Sequence, residues 1–210
     1  MEKIPILFFV VCLSCGQSNQ DHFPIWSDDD RSYLLKEFHE TGAAVHAIVD
    51  SLNSEQWNYK LSDDDWSIAY IIEHLQLQED MHYREVRILS MQPPQPEYAL
   101  QTIGNDEKVL AYEIDRKKGK ADWNVMPLGR WSGKDHALQA FDRSREKMIE
   151  LVASTKANLR QQITFRNIQD PGDFRKVRNL HQILLTTIAH TKRHTHQIRR
   201  TIERPNFPKD

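Results

Sequence analysis

Apolar residues recur every three or four positions along four long stretches of this chain, the spacing that lines one face of an α-helix. The first stretch runs from about Asp30 to Asn53 and carries Leu34, Leu35, Phe38, Val45, Ile48, Val49 and Leu52. The second begins after Asp63-Asp64-Asp65, carries Ile68, Ile71, Ile72, Leu75, Val86 and Leu89, and stops before Pro93-Pro94. Ser67 is its expected N-cap, where a hydroxyl accepts from a free backbone N–H and the preceding aspartates suit the positive end of the dipole. Tyr70 stands where a Glu or Gln would complete a capping box with Ser67. The third stretch runs from about Lys134 to Lys156 with Ala137, Phe141, Met148, Leu151 and Val152. The fourth runs from about Lys176 to Glu203 with Leu180, Ile183, Leu184, Ile188, Ile198 and Ile202, and ends at Pro205.

Alternation of the strand type is hard to find. Four amphipathic helices of this length bury their faces against one another, so the pattern predicts an all-α fold, a four-helix bundle. Residues from Gln92 to Gly133 break the pattern and predict a long irregular connection between the second and third helices. A wholly structureless loop of that length is unusual, and one short helix is expected near Asp106 to Lys117, with the rest packed across one end of the bundle.

The N-terminus reads differently. Ile4 to Leu13 is apolar apart from Pro5 and Cys12, follows Lys3, and is too short for the roughly 20 residues that span a bilayer. It has the length of a signal-peptide core, and Cys15 sits where a lipoprotein leader is cut. The expected organisation is a signal peptide over residues 1–15, of lipoprotein type or a plain leader cut nearby, a flexible linker over 16–29, and one domain over 30–208. The mature protein is then exported to the periplasm or cell envelope, with Cys15 as its only membrane attachment. Cys12 and Cys15 are the only two cysteines, so the processed domain has neither a disulfide nor a thiol nucleophile.

A net charge of −2 gives no basic surface for nucleic acid. The cluster Arg116-Lys117-Lys118-Gly119-Lys120 reads as a solvated helix end.

His190 and His194 are four residues apart on the fourth helix, which puts two imidazoles on one face, a turn apart. On its own such a pair is more often two half-exposed histidines on an amphipathic helix. His196 lies on the opposite side and is expected to face solvent. His74, beside Ile71 and Leu75 on the second helix, is the candidate third ligand; a lone histidine there is otherwise a hydrogen-bonded core residue. Neutral imidazoles ligate zinc, nickel, iron and manganese, and three protein ligands leave a position open for water or substrate. His22, His39, His46, His82, His136 and His181 read as surface or packing residues, with His82 alone also a candidate to line the pocket or close the site as a fourth ligand.

The motif from Trp66 to Leu75 resembles the W-S-x-x-x-x-x-x-H-L signature on the second helix of the DinB-like family. His190 to Ile198 is similar to that family's H-x-x-x-H-x-x-Q-I on the last helix, and Pro205-Asn206-Phe207-Pro208 is similar to its tails. The resemblance covers about Asp30 to Pro208. It implies an up-down-down-up four-helix bundle in which His74, His190 and His194 hold one divalent metal ion (zinc, nickel, iron or manganese). It implies a hydrolase, or a transferase joining a thiol cosubstrate to a small-molecule electrophile. The alternative is a non-catalytic metal- or ligand-binding envelope lipoprotein. A second copy of the chain is an admissible partner, as a homodimer. Gln197 is the candidate for a catalytic role, holding a ligand or water by hydrogen bonding; no general base is named. Glu73 and Glu79 are candidate acceptors for imidazole N–H groups, and Trp66 a candidate pocket wall.

Overall fold

The computed structural model describes residues 23–115, 121–170 and 172–209. The expected signal peptide with Cys12 and Cys15, the start of the linker, His22 and the basic cluster at 116–120 lie outside the described residues.

The four long helices are α1 (Asp28–Val49), α3 (Ile68–Leu89), α6 (Lys134–Ser154) and α7 (Leu180–Ile202). Shorter helices are α2 (Ser54–Asn58), α4 (Pro96–Ala99) and α5 (Asp106–Asp115). The expected helix near Asp106 is therefore present. The fold is mostly helical, as the periodicity predicts. The exception is a two-stranded antiparallel sheet, β1 (Ile163–Phe165) with β2 (Val177–Asn179), in which Thr164 pairs with Arg178. These three-residue strands are too short to show a period.

The sheet also corrects a boundary. Residues 177–179 are strand rather than the first turn of the fourth helix, and Asn179 caps α7 in a capping box with Gln182. At the other end of the chain, α1 starts two residues earlier than expected, because Ser27 and Asp30 form a capping box. It also ends earlier, at Val49, and Asn53 caps the separate α2. The stretch expected as the end of a linker is packed. Trp26 is buried, its indole N–H donates to His181 Nδ1 at 3.2 Å and its backbone N–H to Asn158 at 2.9 Å.

Two apolar clusters show how the helices run. One joins Leu34 and Phe38 of α1, Val86 of α3, Met148 and Val152 of α6, and Leu180, Ile183 and Leu184 of α7. The other joins Val45 and Val49 of α1, Ile68, Ile71, Ile72 and Leu75 of α3, Ala137, Leu138 and Phe141 of α6, and Ile198 of α7. Each cluster thus takes the start of α1 and α7 with the end of α3 and α6, or the reverse. The helices run up, down, down, up.

That topology explains the long connection. α3 and α6 are parallel neighbours, so the chain leaving α3 must travel the length of the bundle, about 30 Å for 22 residues, before α6 can begin. It does so along the side, with α5 packed lengthwise on α7. This corrects the expectation that it lies across one end.

Between the two clusters, Arg145 of α6 touches all the long helices. Its Nε donates to Glu79 Oε2 of α3 at 2.9 Å, and Nη2 also pairs with that carboxylate. Nη1 donates to the Phe38 carbonyl at 2.7 Å and Thr41 Oγ1 at 2.6 Å on α1, and Nη2 to Thr191 Oγ1 on α7 at 3.1 Å. A buried guanidinium needs such pairing, because an unpaired charge in the interior is costly.

Candidate metal centre

α3 and α7 pack against each other, and their directions bring the second turn of α3 opposite the middle of α7. His74 therefore meets His190 and His194. The three ring centroids are 4.9 Å (74–190), 5.0 Å (74–194) and 4.5 Å (190–194) apart. One nitrogen from each ring lies within 4.8 Å of the other two. The Nε2 atoms of His74 and His190 are 3.1 Å apart. All three residues are buried.

The tautomers follow from what the outer nitrogens face. His74 Nδ1 is 2.8 Å from the Val125 carbonyl, which can only accept, so Nδ1 carries the proton and Nε2 presents a lone pair inward. His194 Nδ1 is 2.9 Å from Gln197 Oε1, and the same argument applies. Two lone pairs therefore converge with the His190 ring among buried side chains. This arrangement suits a cation. Nitrogens bound at about 2.1 Å to one tetrahedral ion lie about 3.4 Å apart, close to the 3.1 Å between His74 Nε2 and His190 Nε2 and inside the 4.8 Å that bounds the group.

Burial holds the three rings neutral. Desolvation lowers the pKa of His74 and takes His190 well below the ordinary value, with His194 and His74 adding to the effect on His190. His194 is pushed down to about 3 by burial, then by His74 and Arg193. Neutral imidazole is the form that ligates. A buried three-histidine group of this kind can bind a metal ion.

The other sequence candidates fall into place around it. Trp66 is half-buried and its ring lies 4.8 Å from that of His74, so it walls one side. Gln197 orients His194 through Nδ1. His196 is exposed, as expected. His82 is not a fourth ligand: Nδ1 is 2.8 Å from Thr187 Oγ1 and Nε2 is 2.9 Å from Gln78 Nε2. Glu73 and Glu79 are buried but accept from no imidazole. Glu79 is committed to Arg145. Glu73 accepts from the backbone N–H groups of Leu128, Gly129 and Arg130 at 2.9, 2.8 and 3.1 Å, and pairs with the Arg130 side chain.

Two contributors escaped the sequence reading. The Val125 acceptor is a backbone group, to which its own side chain gives no clue. Arg193, next to His194, extends so that Nη2 lies 3.4 Å from His194 Nε2, and Nη1 donates to the Glu113 carbonyl at 3.2 Å.

The profile of the DinB superfamily matches residues 37–198. No curated protein and no solved structure matches the chain.

Proposed function

This chain belongs to the DinB superfamily, and on that footing we propose that it is an enzyme that holds one divalent metal ion on His74, His190 and His194 and acts on a small molecule. The observation that carries this reading is the convergence of three neutral imidazoles within 4.8 Å, with no fourth His, Cys, Asp or Glu in the group among the described residues. A structural site is usually closed by four protein ligands, whereas three leave room for a reactant. This favours an enzyme over the non-catalytic envelope protein.

When bound, a divalent ion supplies Lewis acidity, polarising a carbonyl or lowering the pKa of a water or thiol. The protein's part is to fix the ligands. The Val125 carbonyl and Gln197 Oε1 hold two rings with their lone pairs inward, and Trp66 keeps solvent off His74. Such outer partners orient ligands and raise their basicity. Gln197 thus has a positioning role.

The leader-like start supports an exported protein, away from cytosolic thiols. Hydrolysis is accordingly the first reaction class and thiol transfer the second. The test is a substrate screen on the metal-loaded and metal-stripped full chain, with esters and amides alone and with electrophiles plus a small thiol. Turnover that needs the metal supports the reading. Turnover of the stripped protein at the loaded rate contradicts it.

A further inference from the structure

Exposed apolar side chains gather at the end of the bundle where α1 and α7 begin and α3 and α6 finish. Ile25, Met91, Tyr98, Leu100, Ile103 and Phe165 are all exposed there, Ile25 and Met91 at 76% and 71%. Their segments are tied to one another. The Pro24 carbonyl accepts from the side chains of Asn158 and Gln161 at 3.1 and 3.0 Å. The Gln161 carbonyl accepts from the Gln95 N–H at 2.7 Å, and the Gln92 carbonyl from Gln162 Nε2 at 3.3 Å. Tyr98 of α4 and Phe165 of β1 meet edge to face, with ring centroids 5.1 Å apart. Thr102, between Leu100 and Ile103, accepts from Asn179 at the start of α7 at 2.8 Å. The opposite end has Leu61, and Trp123 and Leu128 lie along the crossing segment. A single exposed apolar residue is ordinary. A group of them on segments bound to one another marks a contact surface.

The chain leading to this end says what covers it. Residues 16–22 alone separate Cys15, the expected point of acylation, from Phe23. That length reaches about 28 Å at most, even fully extended, whereas α1 runs about 33 Å from this end to the other. Acyl chains on Cys15 therefore keep this end, and not the opposite one, beside the bilayer. Among the described residues no helix is long and apolar enough to cross a membrane, so the contact is with the lipid surface. Arg160 and Arg166, which also lie here, are paired with Asp30, Asp106 and Glu85. The attraction thus rests on the apolar side chains rather than on charge.

Building on the leader-like start, we propose that this end of the bundle is a membrane-docking surface, whose exposed apolar side chains sit among lipid headgroups beside the acyl chains on Cys15. The lipid anchor and the folded domain then hold the membrane together. His74 precedes Leu89 by about 22 Å of helix on α3, so docking in this way holds the three histidines clear of the lipid and leaves them to a substrate from the aqueous side.

The test uses the processed full chain in vesicles of neutral phosphatidylcholine. Cys12 and Cys15 are the only cysteines, one in the removed leader and one blocked by lipid, so an introduced cysteine alone takes a thiol-reactive dye. Met91→Cys and Leu61→Cys place the dye at the two ends of the bundle, with helical circular dichroism checked first. Nitroxide-labelled lipid is expected to quench the dye at residue 91 at least about twofold more strongly than at residue 61. Adding Phe165→Asp to the Met91→Cys chain is expected to cut that quenching by about half, since a charge is expelled from the lipid surface. Equal quenching at the two ends overturns the docking surface. So does a dye at residue 91 that is shielded from water without being quenched, increasingly so as protein density rises, because a second copy of the chain then covers this end. Full chain that carries no lipid and stays in solution beside the vesicles overturns it as well. None of these outcomes depends on the metal centre.

Discussion

Glu73 and His74, neighbours on α3, grip the same crossing segment from two directions. The Glu73 carboxylate gathers the N–H groups of residues 128–130, and His74 donates through Nδ1 to the Val125 carbonyl three residues before them. A turn formed far away in sequence is thereby fixed to the helix that carries a candidate ligand, and it fixes that ligand's tautomer in return.

Glu73→Ala releases three backbone donors and the Arg130 side chain while leaving all three histidines intact. Metal affinity is expected to fall by up to about tenfold, the lower end of the cost of losing an outer partner of a ligand, because the released segment carries the Val125 carbonyl that holds His74. A competition titration against a chromophoric chelator measures it. Unchanged affinity shows that the crossing segment does not hold His74.

Arg145 is 5% exposed and Glu79 1%, so removing either one strands the other. Arg145→Met is expected to cost about 3–5 kcal/mol, a fall in Tm of about 10 °C or more for a chain of this size. Replacing both, with Arg145→Met and Glu79→Leu, is expected to recover much of that loss, since a buried pair is worth little against good apolar packing. Thermal melts of the three proteins decide it. A double variant no more stable than Arg145→Met contradicts the reading.

His82 makes stability depend on pH. Burial pushes its pKa down to about 4 in the folded protein, whereas an unfolded histidine titrates near 6.5. Between these values the unfolded chain binds the extra proton. The contribution of His82 is therefore fully present above about pH 6.5 and is lost as pH falls towards 4, with a limit of about 3 kcal/mol. His181, also at about 4 through burial, acts in the same direction. Urea midpoints measured in chelator from pH 7 to 4.5 are expected to fall in the wild type and to fall less steeply in His82→Gln. Equal slopes contradict the assignment.

Much of the fold was legible because helix periodicity is a local signal carried by many residues. The stripes through Leu34, Ile71, Phe141 and Ile188 locate the four long helices, and Ser67 caps α3 as read. Two things were not local. The pairing of Val177–Asn179 with Ile163–Phe165 depends on a partner more than ten residues away and displaces the start of α7. The route of the connection depends on the relative direction of α3 and α6. In the site, the spacing of His190 and His194 and the position of His74 beside a buried stripe supplied the candidates, and the resemblance of the two surrounding motifs joined them into one group. The roles of Glu73 and Glu79 were misread, because a carboxylate's partner is set by what the fold places opposite it. Here those partners are a turn at 128–130 and Arg145.

The most direct measurement is metal content by mass spectrometry of the full chain after loading and dialysis, beside His190→Ala. One divalent ion per wild-type chain is predicted, and none in the variant, with helical circular dichroism retained in both. A wild-type chain without metal, or a variant that keeps a full equivalent, contradicts the three-histidine centre.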